Sequence, residues 1–119
     1  MEKSEFIKQF KKRTKKLSLD IILLINTRKK TEATKIISHQ IIKSATSTAA
    51  NYRAACIARS KKEFYSKISI TIEEADETVF WLELLQESNL ASNQNIVPLL
   101  EEANTIVKVL SKARKNTSF

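Results

Sequence analysis

Apolar residues recur along the chain with the period of packed helices. In the first segment they fall at alternating spacings of three and four, from Ile7 to Leu24. Residues at this spacing share one side of a helix, where they can pack against neighbouring helices. The same periodicity returns in three later segments, each preceded by a short polar stretch. The pattern predicts helices over about residues 4–26, 34–58, 60–87 and 95–114.

The predicted helix starts carry residues typical of helix caps. Ser60, with Glu63 three residues later, predicts a capping box at the start of the third helix. Asn95 is predicted to cap the fourth helix. That cap would place Pro98 in the first turn, where its missing N–H has little consequence.

Two segments predict unusually close contacts. Residues 44–50 contain only Ser, Ala and Thr, so another helix can approach the second helix closely there. At the end of the third helix, residues 79–85 are apolar on almost every side, which indicates a second buried contact beyond the bundle core. Phe80, Trp81 and Leu84 are therefore predicted to lie in an oligomer interface.

The composition favours helices joined by short polar loops. The chain has no glycine and one proline, whereas sheet proteins use both residues in their turns. The absence of glycine also excludes the P-loop and the dinucleotide-binding fingerprint. A chain of 119 residues has the length of one domain. We therefore predict a single all-α domain over residues 1–119, an antiparallel up-and-down four-helix bundle.

The inventory of reactive residues argues against catalysis. Cys56 is the sole cysteine and His39 the sole histidine, so an intrachain disulfide and a two-histidine metal site are excluded. The Glu-x-x-His motif of di-metal bundles does not occur. We expect no enzyme activity, no metal and no cofactor. A reduced Cys56 and the lack of an apolar run of membrane length predict a cytoplasmic protein.

The formal net charge of +8 is unevenly distributed. Residues 1–30 hold ten Lys or Arg against three acids, and residues 61–90 hold three against seven. The lysines of the first helix fall on the side opposite its apolar strip. We call this set the basic stripe: Lys8, Lys11, Lys12, Lys15 and Lys16.

Three interpretations of the basic stripe remain open at this point. It can be a solvated helix face, or a phosphate-binding surface, since clustered lysines attract nucleic acid through counterion release. It can also pair with the acidic face of the third helix in a neighbouring subunit, around Glu73, Glu74 and Glu77. No aromatic residues are interleaved with the stripe, which argues against base stacking on it.

The second and third helices carry a recognisable set of motifs. The second contains Ser-Ala-Thr-Ser from Ser44 and Asn-Tyr-Arg from Asn51, followed by Ser-Lys-Lys-Glu-Phe from Ser60. The third contains Glu-Ala-Asp-Glu-Thr from Glu74 and Trp-Leu from Trp81. In combination, over about residues 41–90, these motifs resemble the bacterial four helix bundle protein family, also called the large-subunit rRNA intervening-sequence proteins.

The resemblance implies an up-and-down four-helix bundle that assembles as a homopentamer. A distant relative, the accessory protein of diversity-generating retroelements, binds nucleic acid and a reverse transcriptase, which raises the expectation of nucleic-acid binding here. This chain departs from the family pattern at two positions. Ala54 stands where members carry Glu, and Ile57 stands where they tend to carry a basic residue, so Arg53 is expected to lack its usual carboxylate partner.

The matching polar residues are expected to have a structural role. Asn51 falls on the apolar side of the second helix, so we expect its amide to bond a buried group. Glu74 or Glu77 is a candidate acceptor, for Asn51 or for Arg53. The set of family-motif polar residues comprises Ser47, Asn51, Arg53, Glu74 and Glu77.

The sequence thus predicts a non-enzymatic homo-oligomeric scaffold, with the pentamer implied by the resemblance, that binds RNA or DNA nonspecifically through phosphates. Candidate contacts are the basic stripe together with Arg59, Lys61 and Lys62 at the corner between the second and third helices. The alternative is an adaptor that binds a partner protein and not nucleic acid.

Overall fold

The computed structural model describes residues 3–117 and consists of four helices, α1 (Lys3–Asn26), α2 (Glu32–Cys56), α3 (Lys61–Glu87) and α4 (Asn93–Lys115). Loops of four or five residues join them, so consecutive helices run antiparallel. Contact is most extensive between α2 and α3 and least extensive between α1 and α4, which close the ring. This is the predicted up-and-down four-helix bundle, about 47 Å long.

The predicted apolar strips form the core. On α1 the buried positions extend from Phe10 to Leu24, and on α3 they extend from Ile68 to Leu85, at the expected spacings of three and four. Ile7 and Phe64, the first residues of two predicted strips, are only half-buried. Both lie at the end of the bundle where α1 and α3 begin, and the core is open there.

The second helix begins two residues earlier than its predicted range. Thr31 is the N-cap, and its hydroxyl accepts a hydrogen bond from the Thr34 backbone N–H. In return, the Thr34 hydroxyl accepts from the Thr31 backbone N–H at 2.7 Å. The two threonines thus form the reciprocal capping box, a role that Glu or Gln usually fills at the second position.

The cap of α3 is only half of the box expected there. Ser60 is the N-cap, and its hydroxyl accepts from the Glu63 backbone N–H at 3.0 Å, as predicted. The Glu63 carboxylate, however, accepts from the backbone N–H of Arg59 instead of from that of Ser60. It also lies 3.6 Å from the Arg59 guanidinium, an additional attraction that draws it one residue further back.

Asparagine performs the helix-ending role that glycine usually has. Asn89 has a φ of +59°, in the left-handed region. The N–H of Leu90 bonds to the carbonyl of Leu85, and the N–H of Asn89 bonds to that of Gln86. This is a Schellman motif, in which asparagine is the best substitute for glycine.

The start of α4 differs from the prediction. Ser92, not Asn95, is the N-cap, and its side chain makes no capping hydrogen bond. The helix therefore begins at Asn93, and Pro98 lies in the second turn instead of the first. Because proline has no N–H, the carbonyl of Gln94 has no i+4 backbone donor there.

Three of the polar links between neighbouring helices involve α1 or α2. The buried Ser18 hydroxyl donates to the Ala45 carbonyl at 2.9 Å, which joins α1 to α2. The Thr78 hydroxyl donates to the Ser44 hydroxyl at 2.9 Å, which joins α3 to α2. A third link, between α1 and α4, is the bidentate pair of Arg13 with Glu102, at 2.9 and 2.6 Å. Hydrogen bonding to Glu102 raises the pKa of Arg13, so the guanidinium stays charged at all ordinary pH values.

Candidate nucleic-acid interface

The basic stripe lies on the outer face of α1. Lys8, Lys12, Lys15 and Lys16 are exposed, and Lys11 is half-buried. Lys16 forms an ion pair with Asp20 one turn later, at 2.8 Å. The stripe is therefore most positive from Lys8 to Lys15, toward the N-terminal end of α1.

The predicted corner residues lie at that same end of the bundle. Arg59, Lys61 and Lys62 are exposed where α2 ends and α3 begins. Since α1 and α2 are antiparallel, the end of α2 is adjacent to the start of α1. The fold thus brings the two sets of basic residues together, although they are more than forty residues apart in sequence.

A further group of basic residues joins them from α4. Its last three turns carry Lys108, Lys112, Arg114 and Lys115 and no acid. Together, the segments 3–16, 50–68 and 104–117 form the end of the bundle at which α1 starts and α4 finishes. We call it the basic end. It holds sixteen Lys or Arg against two acids, a net charge of +14, and one of these cations, Arg13, is paired with Glu102 from just outside these segments.

The remainder of the bundle has the opposite sign. Residues 17–49 and 69–103 hold five Lys or Arg against ten acids, a net charge of −5. The segment 69–103 alone contains eight acids and no basic residue. The described chain is therefore strongly polarised along its long axis, which its overall charge does not reveal.

Arg53 belongs with the basic surface, not with the acids of α3. It is exposed, and no ion pair involves it within the described range 3–117. Arg53 lines a shallow groove between α1 and α2, together with Lys15. This position is on the opposite side of α2 from the helix that carries Glu74 and Glu77, so the expected pairing across the bundle does not form.

The other family-motif polar residues lie along the contact between α2 and α3. Ser47 and Asn51 follow Ser44 at spacings of three and four, on the side of α2 that faces α3. Asn51 is half-buried, and its amide donates to the carbonyl and hydroxyl oxygens of Ser47, both at 2.9 Å. Its partner is thus one turn away in its own helix and is not a glutamate of α3.

Glu77 of α3 bonds to a residue of its own helix. Glu77 accepts a hydrogen bond from the indole N–H of Trp81 at 3.2 Å. Both Glu74 and Glu77 are half-buried. Trp81 is held in place by this bond and by an edge-to-face contact with Phe80, whose ring centroid lies 4.9 Å away.

The outer face of α3 combines apolar and acidic groups. Phe80 is 51% exposed, Leu84 is exposed and Trp81 is half-buried. Exposed Glu87 lies three residues after Leu84, and exposed Glu73 lies seven residues, or about two turns, before Phe80, so both are on the same side of the helix. Large apolar side chains in a group on one helix face are a common mark of a contact surface.

His39 and Cys56, the two residues of the chain best suited to act as base or nucleophile, lie seventeen positions apart on α2. His39 is exposed on α2. The half-buried Cys56 lies beside Tyr52, and the pKa of the Tyr52 phenol is raised, first by burial and then by the neighbouring Cys56. Between Lys3 and Thr117, no three His, Cys, Asp or Glu side chains are grouped so that they could hold a metal ion. Within the same range, every helix is too polar or too short to cross a bilayer.

Comparisons with known proteins agree with the predicted resemblance. The crystal structure of a protein of unknown function from the S23 ribosomal protein family of Bacteroides thetaiotaomicron matches with a TM-score of 0.79. The match has 30% sequence identity and covers 89% of this chain and 98% of that one. No curated protein sequence gives a significant match, and no enzymatic family is indicated. The family model for 23S rRNA-intervening sequence proteins matches residues 8–112, and the chain therefore belongs to this family.

Proposed function

We propose that the protein is a non-enzymatic homo-oligomeric scaffold, a pentamer, that binds RNA or DNA nonspecifically through the phosphates of the nucleic acid. The observation that carries the proposal is the basic end, where a net charge of +14 is gathered on about half of the bundle. Segments of all four helices contribute to it, and the basic stripe is the part that lies along α1. A surface of this size and sign attracts polyanions by counterion release.

The local ion pairs leave most of this charge available for phosphates. Among the predicted contacts, Lys16 is paired with Asp20 and Arg59 with Glu63. Both pairs are exposed and therefore weak, so a phosphate can compete with the carboxylate. Within residues 3–117, no ion pair involves the other lysines predicted to contact phosphates. The stripe consists of lysines, which bind phosphates as point charges whatever the base, and this supports nonspecific binding.

Self-association is supported by the apolar and acidic outer face of α3. Phe80, Trp81 and Leu84 provide the apolar area that a stable contact needs. Glu73 and Glu87 on the same face would meet basic groups of a neighbouring copy. The subunit number of five comes from the family resemblance, and a ring would place several basic ends on one assembly and raise the affinity for a long polyanion.

The test is the binding of a fluorescently labelled RNA, followed by anisotropy at low and at physiological salt. We expect micromolar binding that weakens steeply as salt increases. In a variant with Lys8, Lys11, Lys12 and Lys15 all changed to Glu, binding should be lost. If the four lysines each contact a phosphate of a single strand, the salt slope of the wild-type protein contains about 3 units from them.

A matched control separates local contacts from net charge. Changing Lys29, Lys30, Lys35 and Lys43 to Glu alters the net charge equally, but these four exposed residues lie outside the basic end. The control should retain most of the affinity. Equal losses in both variants would mean that no particular surface binds the RNA.

The second candidate function is a protein adaptor, and the exposed α3 face favours it. An adaptor would bind its partner through Phe80 and Leu84 and would have no affinity for polyanions. Absence of RNA binding even at low salt would contradict the scaffold proposal and leave the adaptor. In that case the same lysine variants should still bind the partner protein.

A further inference from the structure

The basic end contains an open cavity of about 560 Å³. It lies between the first turns of α1 and α3 and the last turns of α2 and α4, where the core strips stop short of the end. Its volume falls within the range of small-molecule sites, and most of its lining is apolar. Because it opens in the middle of the positive surface, its contents would be surrounded by cations.

Aromatic rings line one side of this cavity. Phe6 stacks on Phe10 with ring centroids 5.7 Å apart and an angle of 11° between the planes. Phe10 in turn meets the edge of Tyr52 at 4.8 Å. Phe10 and Tyr52 are buried, but Phe6 is 42% exposed. The buried pair thus fixes the orientation of Phe6, which retains an accessible aromatic surface.

Cationic residues form the rim. Lys3, Arg59 and Lys61 line the cavity together with the aromatic rings. Arg59 and Lys61 are both exposed. In a nucleotide the sugar joins the base to the phosphate. The phosphates of a nucleotide whose base is inside the cavity would therefore lie beside these side chains. Polar groups also reach the lining, among them Ser60 and Asn116.

We infer that the cavity receives an unpaired nucleobase, which stacks on Phe6 while the adjoining phosphates lie against Lys3, Arg59 and Lys61. The inference rests on the proposed function and narrows its ligand to single-stranded nucleic acid. Stacking on an aromatic side chain accepts any base, since every base has a π-face. A duplex would first have to unpair and unstack a base, which disfavours it.

The basic stripe and the cavity provide two different kinds of contact. The basic stripe has no aromatic residues among its lysines, so it can hold only phosphates. The cavity is lined by Phe6 and Phe10, both within one turn of Lys8, and provides the aromatic surface. A strand that follows the stripe toward the N-terminal end of α1 would reach the cavity with its next nucleotides.

The experiment compares two labelled strands of equal length and charge. One is a short oligouridylate, and the other is an abasic phosphodiester with the same number of phosphates. We expect the wild-type protein to bind the base-bearing strand about fivefold more tightly or better. Phe6→Ala should remove this preference without lowering the affinity of the protein for the abasic strand. Ile57→Ala, an exposed apolar residue of the same end that does not line the cavity, should leave the preference unchanged.

Cys56 provides an independent readout, because it lines the cavity and is the sole cysteine. The base-bearing strand should slow its alkylation, whereas the abasic strand should not. Equal affinities for the two strands, or a preference that survives Phe6→Ala, would overturn the inference and leave phosphate binding intact. If the wild-type protein bound neither strand, the proposed function would be refuted, and the base site with it.

Discussion

Two buried threonines of α3 allow the contribution of one interhelical hydrogen bond to be isolated. Thr71 and Thr78 are both essentially inaccessible to solvent. Each hydroxyl donates to the carbonyl four residues earlier in its own helix, at 2.8 Å for Thr71 and 2.9 Å for Thr78. The single proton of the Thr78 hydroxyl is shared between that carbonyl and the Ser44 hydroxyl of α2, also at 2.9 Å, whereas the Thr71 hydroxyl makes no bond to α2. Replacement by valine preserves the shape of the side chain at either site.

The expected difference between the two variants follows from this geometry. In Thr71→Val the carbonyl of Lys67 keeps the helical N–H as its donor, and a methyl group replaces a buried hydroxyl, so stability should change little or rise. Thr78→Val loses in addition the bond to Ser44, a net contribution of about 1 kcal/mol. The Ser44 hydroxyl still donates to the Ile41 carbonyl, so it is not left without a partner. We therefore expect Thr78→Val to be less stable than Thr71→Val by about 1 kcal/mol.

Urea unfolding, followed by circular dichroism, measures this difference. It should be made at several protein concentrations, because association would add to the apparent stability. Thermal unfolding should place the midpoint of Thr78→Val about 4 °C below that of Thr71→Val. The variants Ser44→Ala, Thr78→Val and their combination complete a double-mutant cycle. Equal stabilities of the two valine variants, or additive losses in the cycle, would refute the account of the α2–α3 contact.

Two further predictions concern the interface and the buried tyrosine. Phe80→Lys should lower the mass of the assembly measured by light scattering. The control Leu23→Lys, at an exposed position on α1, should leave the mass unchanged. An unchanged mass for Phe80→Lys would exclude the outer face of α3 as the interface. Because the folded-state pKa of Tyr52 is raised above its ordinary value, its contribution to stability is complete below about pH 10 and is lost as the pH rises further. Urea unfolding from about pH 8 to pH 12 should therefore show a steeper loss of stability for the wild-type protein than for Tyr52→Phe, and parallel curves would contradict this.

The helices themselves could be predicted from local sequence. Their apolar period is written in consecutive residues, and an α-helix needs only bonds within its own segment. The ends of the helices, however, depend on capping residues that the apolar period does not reveal. The Thr31–Thr34 box and the Asn89 turn depend on residues that serve as substitutes for Glu and Gly, so composition alone does not reveal them. The fourth helix begins at Asn93, although its cap provides no side-chain bond that a motif could predict.

The family motifs identified the fold correctly but not the partners of their polar residues. Asn51 falls on an apolar strip in sequence, yet in the bundle it lies at the margin of the α2–α3 contact and bonds to Ser47. Arg53, two residues later, faces α1 because successive positions on a helix are rotated by about 100°. The side of a helix that meets each neighbour is set by how the helices pack, and this is not contained in the spacing.

The sequence by itself determined that the chain is helical, that its helices are amphipathic and that α1 carries a stripe of lysines. Each of these properties depends on residues within one turn or a few turns of one another. Only the tertiary structure decided where the charges gather. Antiparallel packing brings the start of α1, the α2–α3 corner and the end of α4 to one end of the bundle, which creates both the concentrated positive charge and the aromatic cavity at its centre. Coulombic interaction depends on distance in space, and the fold sets the distances between residues that are far apart in the chain.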